Sequence, residues 1–273
     1  MRYCWSCLLM LSLFTAVYGA DFTLLDASGG MWDCSGLFRQ MLDKQSAVLP
    51  EKYSFTLTQC TEFPQKLSAE QAALVCGSPE KWKRSDFNYH LLGWIAVVAA
   101  AGSDCPVKDI SIENLRRIYS GRAAEWSRFG GGNVPIKRGG CSEKNPLGVL
   151  FAQKVMNPQA GGDKTDLNSQ IAPGMVVCSS SQACRTLVQA VPGMIVFGSV
   201  DLLQFKGANF NILKINGVFP DEENIASGRY PLAIPVGMLS SRNAPVDVIK
   251  KIVTFLQAGF RQQGGMGAGM AEK

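Results

Sequence analysis

Apolar residues along this chain recur in two different spacings, and the switching between them is its main structural signal. Phe22-Thr23-Leu24-Leu25 reads as a strand, and so does Tyr53–Gln59 (YSFTLTQ), with Tyr53, Phe55 and Leu57 on one face. Between them, Ala27-Ser28-Gly29-Gly30 reads as a turn into a helix from about Ser35 to Gln45. Ser68-Ala69-Glu70-Gln71 has the character of a helix start, whereas Ala72–Cys76 is an apolar run that also fits a strand. The longest uncharged apolar run, His90–Ala101, predicts a strand over Gly93–Ala100, apolar on both faces as in a parallel sheet covered by helices.

Further along, Ser111 is placed to cap a helix in which Asn114 takes the third position and Ile112, Leu115 and Ile118 share a face. Gly121 is placed to end it. Val134-Pro135-Ile136 reads as a short strand, Pro146–Met156 as a helix, and Gly193–Phe197 and Phe210–Ile215 as strands. The last helix runs over Val246–Phe260, with Val248, Ile252, Phe255 and Leu256 spaced for one face. Strands alternating with helices predict an α/β fold with largely parallel sheets.

Composition adds the compartment. With 273 residues, 47% of them hydrophobic, the chain is long enough for one large domain or two small ones. Arg2 precedes an uncharged run, Cys7–Val17, and then Gly19 and Ala20. That pattern predicts a cleavable signal peptide at residues 1–20 and a mature chain from about Asp21, periplasmic or secreted. No apolar run approaches twenty residues, so no membrane span is expected after cleavage. The tail Gly264–Met270 reads as a frayed end.

Nine cysteines are present, and loss of Cys4 and Cys7 with the signal leaves seven: Cys34, Cys60, Cys76, Cys105, Cys141, Cys178 and Cys184. An exported chain with this many thiols is expected to form disulfides, Cys178 and Cys184 being the local pair around a polar loop. An odd count leaves one cysteine free or paired between chains. The mature chain has no Cys-x-x-Cys and a single histidine, His90, so neither a metal site nor a cofactor is expected. The net charge of +5 favours anionic ligands mildly, and no Lys/Arg run with interleaved aromatics points to nucleic acid.

Two stretches narrow the reading. Ile112–Arg138 contains Ile118-Tyr119-Ser120-Gly121, Trp126, Gly130-Gly131 and Arg138, and Phe219–Pro235 (FPDEENIASGRYPLAIP) follows, with Pro192–Leu203 between. In this order they resemble the periplasmic phosphate-binding proteins of ABC transporters, in the type II solute-binding superfamily. The resemblance implies a two-lobed type II periplasmic binding protein fold, with mostly parallel sheets flanked by helices and a ligand cleft between the lobes. It implies one lobe from residues 21–101 plus 217–273 and another from 102–216. The expected partners are a small anionic solute, phosphate or a similar oxyanion, and an ABC transporter permease.

Anion binding in such a fold needs helix-leading turns with free N–H groups and a fixed arginine. The first such turn is Ser28, Gly29 and Gly30. The second follows Ile136 and offers Arg138, Gly139, Gly140 and Ser142. The family's Gly-Ser-Gly-Thr run after the arginine is missing, and Glu143 stands where a small residue is expected. The Gly-Ser-Gly turn after the second strand is also missing from Thr58–Pro64, while Cys76-Gly77-Ser78-Pro79 matches a later strand end loosely. Trp126 reads as packing, Lys137 as a solvated charge, Asp221-Glu222-Glu223 as an exposed loop, and His90 as a satisfied core or surface histidine.

Three functions follow. The first is an exported solute-binding protein of a phosphate-type ABC transporter. The second is a periplasmic or secreted interaction protein that keeps the fold with a degenerate cleft, favoured by the missing loop and the cysteines. The third, an enzyme, lacks a nucleophile, base and orienting group in recognisable spacing.

Overall fold

Two mixed sheets carry the chain. The structure, a computed structural model, describes residues 20–27, 53–59, 65–77, 79–82, 86–142, 145–157, 171–204, 209–262 and 266–267. Residues 1–19 of the expected signal segment, the helix at Ser35–Gln45, Cys34, Cys60 and the tail from Ala268 lie outside the described residues.

The first sheet joins β1 (Ala20–Asp26), β2 (Tyr53–Gln59), β3 (Gln71–Cys76), β4 (Phe87–Ala96), β12 (Ala233–Ser241) and β13 (Met266–Gly267) in the order β13-β4-β12-β3-β1-β2. β1 pairs in parallel with β2 and β3, whereas β12 runs antiparallel to β3 and β4. The second sheet orders β10 (Phe210–Ile212), β5 (Val98–Gly102), β9 (Met194–Gly198), β7 (Lys137–Gly140) and β8 (Val176–Val177). Here β7 is parallel to both β9 and β8, and β5 is antiparallel to β9 and β10. A short parallel ladder, β6 (Asp109–Ile110) with β11 (Lys214–Ile215), stands apart.

Several elements are where the residue spacing places them. Ala72–Cys76 takes the strand alternative, because Ala72, Ala73, Leu74 and Val75 are all fully buried between β1 and β12. The apolar run at 90–101 divides. Residues to Ala96 belong to the first sheet, those from Val98 to the second, and the chain changes sheet at Val97. Two bonds hold that crossing: Val97 N donates to Leu232 O at 2.9 Å, and Tyr230 Oη donates to Val97 O at 2.9 Å. Phe210–Ile215 divides in the same way at Leu213.

Five helices are described: α1 (Ile112–Tyr119), α2 (Pro146–Phe151), α3 (Ser181–Ala190), α4 (Glu222–Ala226) and α5 (Val246–Gln262). Ser111 caps α1 as expected, its Oγ accepting from Asn114 N at 3.1 Å. α2 continues into a π-helical turn over Ala152–Met156. α4 overturns the loop expected at Asp221-Glu222-Glu223. Asp221 is its N-cap, accepting from Asn224 N at 2.8 Å, and the carboxylates of Glu222 and Glu223 suit a first helical turn. α5 buries Val248, Ile252 and Leu256 against β4 and β13. One apolar core spans both sheets, from Phe22, Leu24 and Leu74 to Tyr119, Phe151 and Phe197.

The short strand expected at Val134–Ile136 lies one step later in the chain. Pro135 makes only an isolated bridge with Glu125, and the strand proper is Lys137–Gly140. Its residues have no apolar pattern to reveal it. Pairing with β9 and β8 makes it a strand.

Candidate functional site

The carboxyl ends of β7, β8 and β9 lie side by side, because the three strands are parallel. In open α/β sheets ligands bind at such an edge. Cys141 and Ser142 leave β7 there, Cys178 to Ser180 leaves β8, and Ser199 leaves β9.

β7 is held by side chains bonding to main chain. Tyr119, fully buried at the end of α1, donates from Oη to Gly139 O at 2.9 Å. Trp126, also fully buried, donates from Nε1 to Gly193 O at 3.0 Å, and the same carbonyl accepts from Lys137 N at 3.0 Å. Gly193 sits at φ +73°, where a Cβ would come within 2.2 Å of Pro135 O, so only glycine fits there. Burial lifts the Tyr119 phenol well above its ordinary range, so it stays a donor.

Gly140 has a different requirement. A Cβ there would meet the Phe197 ring at 2.2–2.6 Å. That ring stacks on Phe151 with centroids 3.9 Å apart and planes within 2°, and Tyr119 packs edge-on to both. Gly139 and Gly140 are therefore buried strand residues pressed by Leu187, Val196 and Phe197, not members of an open turn.

Arg138 is half-buried beside the end of α1. Nη1 donates to Ile118 O at 3.2 Å and Nη2 donates to Pro173 O at 3.0 Å. Cationic donors on the last carbonyls of a helix are favourable. Its Nε is buried with no hydrogen-bond partner. A buried unpaired donor costs about 1–3 kcal/mol, so it is a standing demand for an acceptor.

Ser142 opens the turn after β7, its carbonyl accepting from Asn145 N at 3.0 Å. Asn145 in turn caps α2, Oδ1 accepting from Leu147 N at 2.9 Å. Arg138, Gly139, Gly140 and Ser142 thus lie along one strand and its exit. Ser28, Gly29, Gly30, Glu143 and Lys144 lie outside the described residues; β1 ends at Asp26, shortly before the first of them.

The sequence reading passed over hydroxyls on the neighbouring strand ends. Ser180 caps α3 by accepting from Ala183 N at 3.1 Å, and Ser181 Oγ lies 2.8 Å from Ser199 Oγ. The run Ser179-Ser180-Ser181 before a helical stretch was the available signal. Lys137 is exposed, as its reading as a solvated charge requires. His90 Nε2 lies 2.9 Å from Ser240 Oγ, and burial lowers its pKa. Cys105, Cys141, Cys178 and Cys184 are free and buried, and Cys76 is buried. Cys178 and Cys184, expected to pair with each other, are both free here, and the Cys141 and Cys184 sulfurs approach the same carbonyl, Phe197 O. No group of three or more His, Cys, Asp or Glu among the described residues is arranged to hold a metal ion.

The class of molecule follows from the two mixed sheets joined at Val97: a two-lobed α/β fold of the periplasmic binding type. Comparison with solved structures agrees. The chain is similar to PstS from Borrelia burgdorferi, with TM-score 0.68 and 16% identity, covering 91% of this chain and 98% of that one. It is also similar to a possible phosphate-binding protein from Planctomyces limnophilus, with TM-score 0.67 and 12% identity, covering 93% and 95%. By sequence it resembles the phosphate-binding protein PstS of Bacillus subtilis, 24% identical over 143 residues, which is 52% of this chain and 43% of that relative. The matched stretch thus spans less than half the length of that curated relative. No family model matches the chain. No described helix is long and apolar enough to cross a membrane.

Proposed function

We propose that this chain is an exported solute-binding protein that takes a small oxyanion, phosphate or a close analogue, and presents it to an ABC transporter permease. The observation that carries the reading is the way the motif residues come together. Ile118, Tyr119, Trp126 and Arg138 build one bonded cluster, and its strand delivers Ser142 to the carboxyl edge of three parallel strands. A relative named for phosphate binding matches 143 residues of this chain in sequence, and a solved PstS and a possible phosphate-binding protein share its fold.

In this reading the Ser142 hydroxyl and the main-chain N–H groups of the turn after β7 contact the anion, with Arg138 supplying positive charge behind them. Gly139 and Gly140 let that strand sit close against Phe197. Ser28, Gly29 and Gly30, which follow β1 in sequence, are assigned to the anion from the opposite side, and the lobes are those built on the first and the second sheet, the chain first crossing between them at Val97. No covalent chemistry is required of the site, so the chain binds rather than catalyses. Cleavage after the first twenty residues places it in the periplasm or outside the cell. A thermal-shift screen with phosphate, sulfate and molybdate tests this, since a ligand that binds only the folded state raises the melting temperature by mass action. A shift with one of these anions that Ser142→Ala reduces supports the proposal. The absence of any shift favours an interaction protein with a degenerate cleft.

A further inference from the structure

Three thiols from three elements meet at the carboxyl edge of the second sheet. Cys141 follows β7, Cys178 follows β8 and Cys184 lies in α3. All three are free, with exposures of 7%, 7% and 0%. The sulfurs of Cys141 and Cys184 approach the same carbonyl, Phe197 O, at 4.0 and 3.7 Å. Cys178 is drawn to the same place by its amide, which donates to Gly140 O, the residue before Cys141, at 2.8 Å. Cys178 and Cys184 pack in one apolar cluster with Val196. Interaction with Cys184 lowers the Cys141 and Cys178 thiols from their ordinary range, and the same interactions together with burial raise that of Cys184.

The expected local disulfide does not by itself account for this arrangement. The local Cys178–Cys184 pair leaves Cys141 unexplained, and the three are not disposed as metal ligands. We propose that they form an exchangeable disulfide site in which Cys184 is the common partner, bonded alternately to Cys178 and to Cys141.

The chemistry needs an oxidant, and an external disulfide supplies it: oxidised glutathione or the active disulfide of a thiol oxidoreductase. The Cys178 thiolate attacks one sulfur of that disulfide. The oxidant's S–S bond breaks, a mixed disulfide forms, and the first leaving thiolate takes the proton that Cys178 gave up. Cys184 then attacks the Cys178 sulfur, and the second leaving thiolate takes the proton from Cys184. Two cysteine thiols are oxidised and one disulfide is reduced to two thiols. In the exchange step the Cys141 thiolate attacks Cys184 and displaces Cys178, which takes up the proton from Cys141, with no net oxidation.

Access comes from β8. It is a two-residue edge strand whose Val176 and Val177 are 47% and 57% exposed, so its opening disrupts little packing and bares Cys178. A Cys178–Cys184 bond ties β8 to α3, whereas a Cys141–Cys184 bond ties the exit of β7 to α3. The covalent restraint therefore moves between a sheet edge and the turn that leads into α2.

The test equilibrates the full chain with glutathione buffers from reducing to oxidising, alkylates the remaining thiols and maps linked peptides by mass spectrometry, with near-ultraviolet circular dichroism confirming the fold. The expected result is a Cys178–Cys184 link in the wild-type chain and a Cys141–Cys184 link in Cys178→Ser. Both links are lost in Cys184→Ser. Full alkylation of all three thiols at the oxidising end in folded wild-type protein overturns the proposal, as does a Cys141–Cys178 link forming at undiminished yield in Cys184→Ser. No anion enters this experiment, so its result stands apart from the fate of the binding proposal.

Discussion

β3 and β7 are both inner strands of their sheets, yet they are made by opposite means. β3 is Gln71–Cys76, five of whose six residues are buried, and its apolar side chains alone mark it as interior. β7 is Lys-Arg-Gly-Gly, and none of its side chains contributes an apolar anchor. It is held from outside by Tyr119 on Gly139 O, by the Trp126–Gly193–Lys137 junction, and by an aromatic stack that leaves no space for a side chain at Gly140. A strand built from side-chain burial is a stability element. A strand built from borrowed contacts is free of bulk at its exit, as a ligand-carrying turn requires.

Substitutions can break this contrast. The largest effect is expected in β3, where Leu74→Ala removes a fully buried side chain and costs about 2–5 kcal/mol in denaturant unfolding. Gly140→Ala comes next, at about 1–3 kcal/mol, because the new methyl overlaps the Phe197 ring. Gly132→Ala is its control. The nearest atom to a Cβ there is 3.8 Å away, and unchanged stability is expected. Equal, small effects of Gly132→Ala and Gly140→Ala would remove the argument that packing selects glycine in β7. Tyr119→Phe loses the bond to Gly139 O and is expected to cost about 1 kcal/mol.

The smallest expected effect is a pH dependence in the first sheet. Burial lowers the His90 pKa, so the folded chain holds the imidazole neutral while the unfolded chain protonates it near its ordinary value of about 6.5. The stability from the neutral form is present above that value and is lost as the pH falls from there through the lower folded pKa. Melting curves on the acidic side of neutrality should therefore decline in the wild-type chain and decline less in His90→Gln.

The same contrast explains what was legible in the sequence. Strands and helices that bury their own side chains, such as β1, α1 and α5, stand close to where spacing puts them. The apolar run at 90–101 gave no sign of its division, because the change of sheet at Val97 depends on Tyr230 and Leu232, far along the chain. β7 was displaced to Val134–Ile136 because Val and Ile carry strand character and Gly does not, although pairing decides the matter. At the site, Arg138 was identifiable as a fixed residue, whereas its partners Ile118 O and Pro173 O are main-chain groups that no side-chain pattern reveals. The approach of Cys141 and Cys184 to one carbonyl, Phe197 O, was equally hidden, since it depends on the pairing of β7 with β9.

The central claim is that the exit of β7 holds a small oxyanion. Calorimetric titration of phosphate into the folded chain, repeated with Ser142→Ala, tests it most directly. Saturable one-site binding is expected, weakened about tenfold by Ser142→Ala, the equivalent of about 1.4 kcal/mol for a lost hydrogen bond to a charged group. Phosphate binding of undiminished affinity in Ser142→Ala, or no binding to the wild-type chain, would contradict it.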